Sequence, residues 1–211
     1  MTATKPPRAF AQVPAHHRIE HLLGERLIAR LLAQAAAQEP AFTSAKIGTS
    51  GGGRTDEAIR TSRASRDFGD LRPELEERFA AVLPEAQQAL GIVPVRLARL
   101  EMQLVAHGDG AFYKRHIDTG ATPGADSYRA LTGVYYFHRL PRAFSGGDLR
   151  LHPIMNPEGV ERYADIPPDN DSFVLFAAWA PHEVRPVSCP SKAWLDSRFA
   201  INCWYWTRRG P

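Results

Sequence analysis

The stretch Phe173-Val174-Leu175-Phe176-Ala177-Ala178-Trp179-Ala180-Pro181-His182-Glu183-Val184, followed by Pro186-Val187, decides how the second half of this chain folds. It opens as a β-like apolar run and leads directly into a proline and a histidine, so one element delivers a metal-ligating side chain to its end. Outward from it the same texture repeats. Val95 to Ala106, Leu131 to Phe137, Asp148 to His152, Ser172 to Ala178 and Phe199 to Trp206 are short β-like runs set apart by turn residues, and everything beyond Ile92 reads as an all-β half.

Upstream the period changes. From Ile19, the apolar positions Leu22, Leu23, Leu27, Ile28, Leu31 and Leu32 recur at three- and four-residue steps, which marks an amphipathic helix ending before Pro40, weakened slightly by Gly24. Ala41 to Ile47 reads as a strand and Gly48 to Asp56 as a mobile, glycine-rich loop. Asp70 is placed to cap a second helix with Pro73 in its first turn and Leu75, Phe79 and Val82 on one side. Pro84 should break that helix and Gly91 end its continuation. Helices first and antiparallel strands after them give an α+β chain whose β part closes as a sandwich or jelly roll, with the helices packed on a sheet. We expect one domain over 1–211: a loose arm over 1–15 carrying Pro6, Pro7 and Pro14, mainly helical support over 16–94, and the β part over 95–207.

Composition narrows the function classes. With 44% hydrophobic and 23% charged residues, wholesale disorder and fibrous classes are excluded. The net charge is +3, but the arginines are spread along the chain and no basic run is interleaved with aromatics, so no nucleic-acid partner is expected. No eighteen apolar residues run together and the start has no signal-peptide core, so we expect a cytoplasmic protein without a membrane partner. Cys189 and Cys203 form no C-x-x-C pair, which argues against structural zinc and for free thiols.

His116 and Asp118 in Phe112-Tyr113-Lys114-Arg115-His116-Ile117-Asp118, together with His182, are the residue types of a two-histidine, one-carboxylate face. Such a face holds non-haem Fe(II) and leaves open coordination positions for chemistry. On a strand, His-x-Asp puts both side chains on one side. Chance alone yields about 0.4 such pairs in a chain with eight histidines and eleven aspartates, so the pair needs support from its surroundings.

That support is the order of six blocks. After 112–118 come Gly133-Val134-Tyr135-Tyr136-Phe137, Ser145-Gly146-Gly147-Asp148-Leu149-Arg150, Ala164-Asp165-Ile166-Pro167-Pro168, Pro181-His182-Glu183-Val184 and Arg198-Phe199-Ala200-Ile201-Asn202-Cys203-Trp204-Tyr205. In order and spacing the region 97–206 resembles the Fe(II)- and 2-oxoglutarate-dependent oxygenases, and within them the prolyl 4-hydroxylases, including the oxygen-sensing type and their bacterial relatives.

The resemblance implies a double-stranded β-helix with supporting helices, Fe(II), 2-oxoglutarate and O2 as cofactor and cosubstrates, ascorbate as an auxiliary, and His116, Asp118 and His182 as iron ligands. It further implies that Arg198 pairs with the distal carboxylate of 2-oxoglutarate, a task suited to a planar, permanently charged fork. Tyr136 and Asn202 would add hydrogen bonds there, Leu149 and Trp204 would wall the pocket, and Tyr113 and Arg129 would stand where substrate approaches. His107 falls where prolyl hydroxylases carry a cosubstrate-contacting tyrosine. Ser188 to Ser197 is longer than is usual in that family, which leaves Lys192 as the fallback anion contact.

The activity implied is hydroxylation of an unactivated C–H, first of all in a prolyl residue of a peptide or protein, with release of succinate and CO2. A free amino acid or a biosynthetic small molecule is the alternative substrate, since fold does not fix substrate. A non-catalytic metal-binding interaction module is the reading from another class. Gly48-Thr49-Ser50-Gly51-Gly52-Gly53-Arg54-Thr55 comes near a phosphate loop but carries Arg54 where lysine belongs and no apolar helix after it, so we read a flexible loop instead, and the resemblance implies that such a segment can fold over substrate.

Overall fold

Strand alternation with a period of two sorts the long strands of this chain into two faces, and each face meets a different layer. The computed structural model describes residues 11–47, 53–119, 125–156, 159 and 162–209. A seven-stranded sheet runs β1 (His16–Glu20), β10 (Ser172–Ala177), β6 (Ser127–Phe137), β13 (Arg198–Arg208), β4 (Arg99–His107), β3 (Arg63–Ser65) and β2 (Thr43–Ser44). Against it stands a smaller sheet of β5 (Tyr113–His116), β11 (His182–Val184), β8 (Leu149–Leu151) and β9 (Ala164–Ile166), while β7 (Ser145–Gly146) pairs with β12 (Val187–Ser188). All these pairings are antiparallel. Two facing antiparallel sheets, with helices on the outside of the larger one, are the double-stranded β-helix architecture.

On β13 the odd residues Phe199, Ile201, Cys203 and Tyr205 point outward into a core shared with Leu27, Ile28 and Leu31 of α1 (Glu25–Ala37), Leu75 and Phe79 of α2 (Arg72–Ala81), and Leu83 and Ala86 of α3 (Leu83–Ala89). Leu131, Tyr135 and Phe137 of β6 join them. The opposite faces, Val134 and Tyr136 of β6, Val174 and Phe176 of β10 and Ala200 of β13, close on Leu149, Leu151 and Ile166 of the smaller sheet. Burial at about 25 cal/mol per Å² of apolar surface makes both layers strongly stabilising, and a one-residue slip of any long strand would exchange them.

Several expectations are corrected. The helix expected from Ile19 starts at Glu25, because His16–Glu20 pairs with β10 and Ile19 faces Phe173. The turn between them is held by Asp171, whose carboxylate accepts from Leu23 N–H at 2.8 Å and Gly24 N–H at 2.9 Å, and Gly24 takes a φ of 79°. Asp70 does not cap α2. It lies in a short 3-10 turn over Gly69–Leu71, with Pro73 at the helix start as expected. Pro84 likewise opens α3 after a break at Val82. The region 16–94, expected as mainly helical, also supplies β1, β2 and β3 to the edges of the large sheet. Of the expected arm, 1–10 lies outside the described residues, while Val13 packs against the inter-sheet core. Of the expected loop, 48–52 lies outside the described residues, and Ile47 and Arg54 on either side form an antiparallel bridge.

Candidate metal centre

Pairing of β5 with β11 sets His116 opposite His182, with ring centroids 4.1 Å apart. Asp118 is not on the strand, as the simple His-x-Asp reading required. It lies two residues past the end of β5, where its N–H and that of Thr119 both donate to Ala178 O, at 2.9 and 3.1 Å. This hook brings the carboxylate back beside the rings: Oδ1 is 3.8 Å from His116 Nε2 and Oδ2 is 3.6 Å from His182 Nε2. The three ligand atoms lie within 4.8 Å of one another, close enough to hold one metal ion.

The surroundings orient each donor. His116 Nδ1 is 2.8 Å from Lys114 O and His182 Nδ1 is 2.9 Å from Ala180 O. A carbonyl only accepts, so each Nδ1 carries the proton and each Nε2 lone pair is left for a cation. Thr132 Oγ1 donates to Asp118 Oδ2 at 2.8 Å. Burial first, and the His182 ring second, push His116 down to about 3, so its imidazole is neutral at physiological pH. Burial alone would raise Asp118, but the two histidines and its hydrogen bonds outweigh it and hold the carboxyl below the usual range. A neutral His116 imidazole beside an ionised Asp118 carboxylate suits the donor set a divalent first-row metal takes.

Beside this triad, inward-facing residues of the large sheet build a second feature. Arg198, Asn202 and Trp204 alternate along β13 and line the same cavity of about 840 Å³ as the triad, together with His107 and Leu149. Arg198 is 1% exposed. Its Nε donates to Gly147 O at 2.8 Å and its Nη1 lies 3.2 Å from His107 Nδ1, across the register pair Arg198 and His107. Arg198 Nη2, His107 Nε2 and Tyr136 Oη are buried with no hydrogen-bonding partner among the described residues. Tyr136 lies under the Arg198 guanidinium, 4.8 Å from carbon to ring centroid, and burial pushes its phenol up to about 12 against the pull of Arg198, which leaves it protonated. Buried polar groups without partners are uncommon, and a group of donors around a fixed cation is a place for an anion.

Tyr113 stacks on His116 with centroids 3.6 Å apart. Arg129 reaches the cavity through a bulge between Tyr205 and Trp206, lies over Trp204 at 4.2 Å, and is paired with Glu101 at 2.8 Å. Lys192 is exposed and lines a separate cavity of about 350 Å³, away from the triad. The stretch 188–197 is a packed loop rather than a displacement of β13: Trp194 Nε1 donates to Ala35 O at 2.8 Å and its ring meets Phe42 and Phe199 edge-on. Sequence reading missed Thr132, Glu101, Gly147 and Arg60. Thr132 and Gly147 stood inside or beside quoted blocks. Arg60 had no local signal, since it enters the cavity only through long-range pairing.

Residues 102–206 match the 2OG-Fe(II) oxygenase superfamily. An uncharacterised PKHD-type hydroxylase of Synechocystis is 39% identical over 134 residues, covering 62% of this chain and 44% of that protein. Egl nine homolog 1 of Rattus norvegicus is 36% identical over 103 residues, covering 46% of this chain and 25% of that protein. The matched stretches thus span less than half the length of either curated relative. A prolyl hydroxylase of Trichoplax adhaerens, solved with a peptide fragment of the hypoxia inducible factor oxygen degradation domain, superposes with a TM-score of 0.67 at 23% identity, over 91% of this chain and 83% of that one. That likeness carries the fold.

Proposed function

This chain belongs to the 2OG-Fe(II) oxygenase superfamily, and on that premise we propose that it hydroxylates an unactivated carbon of a prolyl residue in a peptide or protein, with conversion of 2-oxoglutarate to succinate and CO2. The family uses Fe(II), 2-oxoglutarate and O2, which together supply the oxidising power for replacing C–H by C–OH. The observation that carries the reading is the convergence, in one cavity, of a two-histidine, one-carboxylate set with a buried arginine ringed by unpartnered donors.

In this proposal His116, Asp118 and His182 hold the metal through Nε2, a carboxylate oxygen and Nε2. Arg198 holds the distal carboxylate of 2-oxoglutarate, with the Tyr136 hydroxyl and His107 Nε2–H as further donors, which gives these three buried donors an acceptor. Leu149 and Trp204 wall this part of the cavity, and Asn202 offers an amide to the same ligand. Exclusion of water raises the worth of each of these contacts. Tyr113 and Arg129 flank the approach of substrate. The peptide preference is supported by the prolyl hydroxylase of the same fold solved with a peptide fragment.

The test is succinate formation from 2-oxoglutarate, with and without Fe(II), together with mass spectrometry for one added oxygen on proline-containing peptides. We expect metal-dependent succinate that collapses in His116→Ala and Asp118→Ala. Undiminished activity in either variant would refute the ligand assignment, and oxygen added only to non-prolyl compounds would refute the substrate.

A further inference from the structure

Arg60 is a cavity cation that no carboxylate pairs with among the described residues. It is 7% exposed and reaches the cavity because the segment around it extends the smaller sheet: Lys114 N–H donates to Ile59 O at 2.9 Å and Thr61 N–H to Phe112 O at 3.0 Å. Its Nε donates to Ser62 Oγ at 2.7 Å, its Nη1 reaches Lys46 O at 3.4 Å, and its guanidinium carbon lies 4.7 Å from the centre of the Tyr113 ring. These contacts fix the side chain without neutralising it. Tyr113 is itself stacked on His116, so the Arg60 guanidinium stands one aromatic layer from a candidate metal ligand.

The other charges of the cavity are accounted for. Arg66 and Arg129 share Glu101, at 2.9 and 2.8 Å. Asp67 accepts from Gln38 and from Gly69 N–H. Asp118 belongs to the metal set, and in the function proposed above Arg198 takes the distal carboxylate of the cosubstrate. Arg60 remains, with the exposed Lys46 beside it as a second positive charge rather than a counter-ion. A guanidinium held out of water without an anion is costly, and a neutral prolyl ring does not supply one.

We infer that Arg60 receives a carboxylate carried by the substrate, either the side chain of an acidic residue next to the target in a peptide or the carboxylate of a free amino acid. The inference rests on the hydroxylase reading for what the substrate is, but not for the presence of the anion site. It makes Arg60 a specificity-determining residue, because an uncharged analogue leaves the guanidinium unpaired.

The site is tested on the whole protein loaded with Zn(II) and 2-oxoglutarate, which does not turn over. Crystals soaked in bromide should show an anomalous peak against the Arg60 guanidinium, lost in Arg60→Gln. No peak in the unsubstituted protein overturns the inference whether or not proline is hydroxylated. In turnover, proline-containing peptides with an aspartate near the proline are compared with their asparagine counterparts, and L-proline with L-prolinamide. The charged member of one pair should show a KM lower by roughly tenfold or more, a preference erased in Arg60→Gln and partly kept in Arg60→Lys. Which pair responds identifies the source of the carboxylate. Equal KM values within both pairs overturn the inference, as does an Arg60→Gln variant that raises KM for 2-oxoglutarate while the substrate preference stays intact. Should no proline compound gain oxygen, the substrate reading fails and the bromide result alone decides the Arg60 site.

Discussion

The Arg198 guanidinium and the His107 ring face each other from directly paired positions of β13 and β4, with Nη1 3.2 Å from Nδ1. A guanidinium has no acceptor, so Nδ1 accepts and the ring proton resides on Nε2. Burial, then Arg198, then Arg60 hold His107 well below its ordinary value, which keeps the ring neutral. This contact sets the tautomer of His107, and burial together with Arg198 sets its charge, so that Nε2–H is the donor the ring presents.

His107→Phe keeps an aromatic ring and removes both nitrogens. We expect the affinity for 2-oxoglutarate, titrated calorimetrically into Zn(II)-loaded protein, to fall roughly tenfold or more. An unchanged affinity would remove His107 from the anion pocket.

Gly147 has a φ of +74°, and a Cβ there would meet Arg198 Cδ at 2.6 Å and Val187 Cγ2 at 2.9 Å. Gly147→Ala should therefore displace the arginine, with about 1–3 kcal/mol of lost stability from crowding and a weakened hold on 2-oxoglutarate. Metal affinity should change little, because a Cβ at this position meets Arg198 and Val187 and no member of the triad. Denaturant unfolding and separate metal and cosubstrate titrations check this, and equal losses in both titrations would contradict it.

Thr132 touches the proposed metal set only through its hydroxyl on Asp118 Oδ2, at 2.8 Å. Thr132→Val keeps the shape and leaves that carboxylate oxygen without its donor. Metal affinity measured by competition with a chelator should drop about 10–100-fold, as is typical for loss of a partner that orients a ligand. A smaller than twofold change would show that the hook at Ala178 orients Asp118 without help.

Stability should fall in acid. His116 is held at about 3, chiefly by burial, and His107 is also held well down, whereas both take up protons near pH 6.5, the ordinary value, when the chain is unfolded. Between these limits the unfolded chain binds more protons, so this stabilisation is complete above about pH 6.5 and is lost as pH falls toward about 3. Denaturant midpoints of the metal-free protein should drop steadily over that window, less steeply in His107→Phe. A midpoint that stays level to about pH 4.5 would contradict the burial of neutral rings.

Much of this architecture was legible because it is local. The runs Leu131 to Phe137 and Phe199 to Trp206 read as strands, the resemblance named Tyr136, Arg198, Asn202 and Trp204 on or beside them, and strand alternation puts all four on the inward faces of β6 and β13. The order of blocks around His116, Asp118 and His182 carried the candidate ligands. The stretch from Ile19 is not helical until Glu25 because the partly buried Leu22 and the buried Leu23 lie in a turn that Asp171 holds from almost 150 residues away, at a sequence separation of 147 to 148. No window of local sequence contains that contact.

What the chain determined by itself is therefore which residue types occur in which order: two imidazoles, a carboxylate and an arginine, set within a succession of short β-like runs and turns. Tertiary structure decided where they meet. Antiparallel pairing of β5 with β11 set His116 against His182, Ala178 O drew Asp118 off its strand, β4 brought His107 to Arg198, and the segment at Ile59 to Thr61 carried Arg60 into the cavity. The reason is physical: periodicity encodes which side of an element is apolar, whereas register between distant strands is selected by the packing of two whole sheets, a free energy to which every buried residue contributes and no short stretch can specify.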